Sequence, residues 1–178
     1  EPFLAFLEKR VFSPLAMRDT VPDSAPPDAN RAVSYFPRFA ADPRYGPERL
    51  REVDYSCYAG ASAFVSTASD LVRFGLAVNR GKLLRPETVR LLQTPQQLAS
   101  GEETGYGLGW DLETVMLAGK AARVAGHDGT ILGGRAASLV TLPERGLAVA
   151  VLANTSYADT FGLAVRIAEA FEGPGLAR

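Results

Sequence analysis

The feature that most constrains this chain is a pair of apolar runs joined by a tight turn. Ala136 to Leu142 and Leu147 to Leu152 are β-prone throughout, and Pro143-Glu144-Arg145-Gly146 between them is a turn sequence. Side chains alternate faces along a strand, so runs that are apolar at every position must be covered on both sides. The hairpin therefore predicts an antiparallel sheet with helices above and below it.

Helical spacing supplies the covers. Thr67 followed three residues later by Asp70 is a capping-box pattern, and Leu71, Phe74 and Val78 then share one face up to Gly81. Pro86 opens a shorter helix carrying Val89 and Leu92, closed before Pro95. A last helix is expected over about 159–171, with Phe161, Ala164, Ile167, Ala168 and Phe171 on one face. Phe3, Phe6, Leu7 and Arg10 mark an opening helix that Pro14 stops. Tyr106-Gly107-Leu108-Gly109-Trp110 places large residues at every second position and reads as a strand. Between Val21 and Pro47 lie six of the twelve prolines, so no helix survives there and an extended surface excursion is expected, about 21–58 in all. Helices, then antiparallel strands, then a helix is an α+β order, and 178 residues are enough for one domain of ordinary size rather than two.

Charge and cysteine content narrow the function. A net charge of −1 without a basic block gives no electrostatic handle on phosphates, so nucleic acid is not an expected partner. No apolar run approaches the roughly 20 residues that span a bilayer, and Glu1-Pro2-Phe3 lacks the marks of a signal peptide. The compartment stays open. Cys57 is the single cysteine, which excludes an internal disulfide and a multi-cysteine zinc site. With one histidine, a common metal site is not expected either, and no cofactor is implied.

His127 is the candidate catalytic residue. It stands in Ala125-Gly126-His127-Asp128-Gly129-Thr130, where flanking glycines let a backbone or a ligand approach closely. Two self-contained readings compete with a larger site. Cys57 with His127 would make a thiol protease, against which a buried structural thiol is the simpler reading. Gly60-Ala61-Ser62-Ala63-Phe64 falls one glycine short of the G-x-S-x-G nucleophile elbow. The order Ser62, Asp111, His127 suits an α/β-hydrolase, but the alternating βαβ pattern of that fold is missing.

Five stretches, in order, resemble the serine β-lactamase/penicillin-binding-protein family in its class C-like, esterase and mitochondrial β-lactamase-like branch. Val11 to Thr20 is similar to "IFxPLGMxDT", and the segment centred on Phe64 to Leu71 to "AGGLxSTAxDLxRF". Tyr106 to Trp110 reads "YGLGW", Gly126 to Gly129 reads "GHxG", and Pro143 with Asn154 fits the hairpin "P…G…VVVLxN". The resemblance implies a β-lactamase/transpeptidase-like fold, of which this chain is the C-terminal portion. It implies an acyl-enzyme mechanism on a β-lactam, peptide amide or ester. His127 and Gly129 would be the H-x-G form of the third motif, and the Thr130 N–H an oxyanion-hole donor, worth about 2.7–4 kcal/mol in the transition state. The nucleophile motif S-x-x-K and the Y-x-N motif occur nowhere in the sequence. The partner expected is therefore the N-terminal half of the same fold, in a separate chain or a missing segment. The alternative is an inactive assembly or ligand-binding module. Ala16, Ala61 and Ala63 replace glycines of the pattern.

Overall fold

The computed structural model describes residues 1–23, 29–38, 42–51, 53–55, 58, 60–61, 64–131 and 133–172. Its centre is a four-stranded antiparallel meander: β5 (Asp111–Leu117), β6 (Lys120–Ile131), β7 (Arg135–Leu142) and β8 (Leu147–Ala153), in that spatial order. The expected hairpin is β7–β8, in register from Ala136 opposite Ala153 to Leu142 opposite Leu147. Its turn is a short 3₁₀ segment, Pro143–Arg145, closed by Gly146 at φ 64°, where a residue with Cβ would be strained.

Helices cover both faces, as the two-sided apolar runs require. On one face α4 (Thr160–Glu172) lays Ala164 and Ala168 onto Leu117, Ala122, Val124, Val140, Leu142 and Val149. On the other, α2 (Ala68–Asn79) and α3 (Pro86–Leu92) pack Val78 and Val89 with Trp110 and Ala125. Small residues bring α4 close to the sheet. Phe161 and Ile167 join the cluster, but Phe171, expected on the buried face, is 58% exposed, because the helix seats through Ala164 and Ala168 and nothing described covers its last turn.

Tyr106 to Trp110 is not a strand. The segment bends, with Gly105 at φ 70° and Gly109 at φ 78°, and β5 starts only at Asp111. The glycines that mimic strand alternation serve the bend instead, Gly109 through its positive φ and Gly107 through close approach. A Cβ on Gly107 would overlap the Leu92 carbonyl oxygen at the end of α3. The bend matters for the site, because it folds Tyr106 back beside Asp111.

The first helix divides into α1 (Phe3–Leu7) and one π-helical stretch, Glu8–Phe12. Phe12 is the buried end, edge-on to Phe64 at 5.4 Å between ring centroids. Short strand pairs then tie the proline-rich excursion down: β1 (Val21–Pro22) to β4 (Phe64–Val65), and β2 (Tyr35–Pro37) to β3 (Pro47–Arg49). The Thr67 hydroxyl caps α2 by accepting from the Asp70 N–H, as the sequence pattern predicts. The Asp70 carboxylate faces elsewhere. Fully buried, it accepts from the Asp19 N–H and the Thr20 hydroxyl, both at 2.9 Å, and pairs with Arg73.

Candidate active site

The site is built on an open length of strand. The β5–β6 pairing ends at Asp111 opposite Gly126, whereas β6 continues to Ile131 against β7 alone. No described strand pairs with the outer edge of residues 127–131. The direction of the backbone groups there follows from the bend. Gly107 N–H donates to the Trp110 carbonyl and Leu112 N–H to the Gly105 carbonyl, so Trp110 and Leu112 use the side turned to the bend. Asp111, between them, must turn its own N–H and C=O to Gly126. Backbone directions alternate along an unbroken antiparallel ladder. His127 and Gly129 therefore bond toward β7, and Asp128 and Thr130 turn their N–H and C=O to the open edge.

The two glycines of Gly-His-Asp-Gly do different things. A Cβ on Gly126 would overlap the Leu139 carbonyl oxygen, so close backbone packing excludes a side chain. A Cβ on Gly129 would meet nothing within 4 Å, so that position fronts open space. One glycine is needed for packing; the other leaves room.

His127 is half exposed, with 55% of its side-chain surface accessible. Its Nδ1 lies 2.6 Å from the Asp128 carbonyl oxygen and its Nε2 lies 3.1 Å from the Tyr106 hydroxyl. The Asp111 carboxylate stands 3.8 Å from Nδ1. Asp111, Glu113, Val124, Gly126, Asp128 and Phe161 line a shallow hollow with it. Among the described residues no group of three or more His, Cys, Asp or Glu side chains could hold a metal.

The excursion is anchored at the far end of this strand. Arg135, opposite Ile131, reaches both carboxylate oxygens of Asp23 at 3.2 Å, and Arg31 pairs with the same carboxylate. The Asp23 side chain is 3% exposed, and the Arg135 guanidinium also lies over the Tyr55 ring. The Asn154 side-chain amide donates to the Val33 carbonyl, and Tyr35 N–H to the Asn154 carbonyl. Asn154, noticed in the sequence only as part of the hairpin pattern, thus stitches the excursion to the end of β8.

An open strand edge carrying Gly-His-Asp-Gly, on an antiparallel sheet between helices, agrees with comparison against known families: the β-lactamase pattern matches residues 1–172. The chain belongs to the β-lactamase family. It is similar to the solved D-stereospecific amidohydrolase of a Streptomyces species, at 23% identity and a TM-score of 0.73, over 99% of this chain and 50% of that one. It is similar also to the D-amino acid amidase of Ochrobactrum anthropi SV3 complexed with L-phenylalanine amide, at 25% identity and 0.68, over 86% and 44%. An octameric penicillin-binding protein homologue from Pyrococcus abyssi aligns at 19% and 0.73, over 96% and 37%. The chain thus spans half or less of the length of these relatives. No curated protein matches it.

In this family member, His127, Gly129 and Thr130 lie along the length of β6 whose outer edge is open, and Thr130 turns its N–H to that edge. Ser62 and Cys57 lie outside the described residues. Tyr106 is the side chain that sequence reasoning left without a role beside His127, and Asp111 entered only through the Ser62, Asp111, His127 order. Tyr106 was visible only as a motif letter, and no periodicity relates it to a histidine 21 residues away. No described helix is long and apolar enough to cross a membrane.

Proposed function

We propose that this chain contributes the substrate-edge half of a serine hydrolase that works through an acyl-enzyme. A segment bearing S-x-x-K and Y-x-N, contributed by the rest of the same fold, brings the nucleophile, its activating lysine and the tyrosine. The observation that carries the reading is the strand edge of residues 127–131, open beside a half-exposed histidine. An extended acyl substrate laid along such an edge meets a backbone N–H at Thr130 and open space over Gly129. A tetrahedral intermediate formed there gains a donor in the oxyanion position. His127 then orients the substrate and supports proton transfer between nucleophile and leaving group.

Carbonyl substrates with a small acyl group suit this edge: amides, esters or β-lactams. Amides of D-amino acids are the first to test, since two of the solved relatives are named a D-stereospecific amidohydrolase and a D-amino acid amidase. The membership supports hydrolysis, and the absence of S-x-x-K from all 178 residues is why a further segment is required.

The deciding experiment is labelling of the protein purified from its source with a fluorophosphonate probe, followed by mapping of the modified peptide. Label on the serine of an S-x-x-K sequence, covalently continuous with this chain or associated with it, is the expected result. In that protein His127→Ala lowers turnover by about one to three orders of magnitude without loss of fold. Label on Ser62 replaces the reading with a self-contained hydrolase. Absence of label leaves a binding module without acyl chemistry.

A further inference from the structure

Both nitrogens of His127 are engaged, and one arrangement of protons satisfies all three groups. The Asp128 carbonyl oxygen at Nδ1 can only accept, so Nδ1 carries the hydrogen. In the neutral ring Nε2 then holds a lone pair, and the Tyr106 hydroxyl is the donor. The two rings stand edge to face, 5.9 Å between centroids at 85°, so ring contact and hydrogen bond select the same orientation. The charged groups around the imidazole agree. Asp111 on β5 lies on the Nδ1 side, and Glu113 of β5 and Asp128 of β6 share the hollow. From α4 the hollow receives Phe161, which carries no charge.

We propose that Tyr106 is a positioning residue for His127, holding the ring beside the open strand edge as the Nδ1–H tautomer with Nε2 kept as a proton acceptor. An imidazole this exposed has room to turn about χ1 and χ2; the phenol removes that freedom. The tautomer has a chemical consequence. When the phenol oxygen takes a proton released at the site, its own O–H bond breaks and that hydrogen passes to Nε2; the new Nε2–H donates back to the phenol oxygen, and the proton just received is the outward-facing hydroxyl hydrogen. Only the ring changes charge, and Asp111 stands ready to offset it. The residue thus couples proton uptake by the histidine to the appearance of an outward-facing hydroxyl donor.

The proposal deepens the hydrolase reading and rests on it for its catalytic meaning, but its first test needs no turnover. His127 is the only histidine of the 178 residues, and long-range ¹H–¹⁵N correlation reads the protonation of each ring nitrogen directly. The His127→Gln spectrum assigns the signals by difference, whatever further histidines a longer protein brings. The expected pattern at a pH where the ring is neutral is a protonated Nδ1 and an unprotonated Nε2. Tyr106→Phe, which deletes one oxygen from a partly exposed ring, leaves Nδ1–H donating to the Asp128 carbonyl but removes the donor at Nε2, so the Nε2 resonance moves toward that of a free lone pair. A ring protonated mainly at Nε2 overturns the proposal, and so does an Nε2 resonance unchanged in Tyr106→Phe.

The second measurement separates the two readings. In protein with acyl turnover, Tyr106→Phe lowers kcat about tenfold and leaves KM within about twofold, the mark of lost transition-state orientation. An unchanged kcat removes Tyr106 from the reaction. In protein without acyl turnover the tautomer pattern still stands or falls on its own.

Discussion

The sheet with α4 and the excursion that crosses its open end are held by opposite means. In the sheet, stability is spread over many apolar side chains: Leu117, Val140 and Leu142 are each about 1% exposed, and α4 adds Ala164 and Ala168. The described residues of the excursion bury little that is apolar, and Phe36, Tyr45 and Val53 remain at least 37% exposed. Beside its short strand pairs and Asn154, one carboxylate holds the chain just before it and another holds its body. Asp70 gathers Asp19, Thr20 and Arg73; Asp23 gathers Arg31 and Arg135. Apolar burial degrades gradually, because each lost methylene costs under about 1 kcal/mol. A buried carboxylate fails all at once, since each donor it leaves is stranded away from water. The excursion therefore depends on single residues in a way that the sheet does not.

The sharpest attempt to break this contrast is Asp70→Ala. The change strands the Asp19 N–H, leaves the Thr20 hydroxyl with Ser66 alone, and releases Arg73, which is half exposed and returns to water. A loss of about 2–4 kcal/mol is expected, measured as a lower urea midpoint at unchanged slope. Hydrogen exchange should rise in residues 12–23 and 64–80 before the sheet amides lose protection. Equal exposure of sheet and excursion would show that the two regions unfold as one, and the comparison would fail. Leu142→Ala is the counterpart. Its site is packed by Val140, Val149 and α4, and a loss of about 2–4 kcal/mol follows from transfer plus the cavity left behind. Its exchange signature should spread through β6, β7 and β8 together. Protection lost in the excursion alone would contradict the assignment of Leu142 to a shared core.

The same division explains what could be read from the sequence. The β7–β8 hairpin, α2, α3 and most of α4 are local patterns, in which turn chemistry, capping and periodicity act within a few residues. The bend at residues 105–109 was not legible, since Gly107 answers to the Leu92 carbonyl on another element. Asp70 was read as half of a capping box, and its cap partner is indeed Thr67. Its buried role depends on Thr20, 50 residues away. His127 stood out through its glycines, and the family resemblance gave Gly129 and Thr130 their meaning. Tyr106 and Asp111 join it only through the Asp111–Gly126 register, which no spacing in the sequence encodes. Long-range polar contacts are written one residue at a time, without periodicity to reveal them.

The smallest effect tests backbone strain, which the sheet carries at Ala118 in the β5–β6 turn and the approach to the excursion carries at Ala16. Ala16 replaces a glycine of the family-like "PLGM" pattern, and it sits at φ 53°, in the left-handed region. Its N–H still donates to the Ser13 carbonyl, and Met17 behind it closes onto the Phe12 carbonyl, so the turn is held by bonds that need this conformation. An L-residue there costs about 1–2 kcal/mol through its Cβ. Glycine removes that cost and returns about 0.4–1 kcal/mol as added freedom in the unfolded chain. Ala16→Gly should therefore stabilise the protein by about 0.5–1 kcal/mol, read as a higher urea midpoint. Because Ala16 lies more than one element away from Leu142, the gain should add to the Leu142→Ala loss within about 0.5 kcal/mol. A destabilised Ala16→Gly variant would mean that the turn is held by its bonds without strain, and that the alanine is favoured for stiffening the unfolded chain.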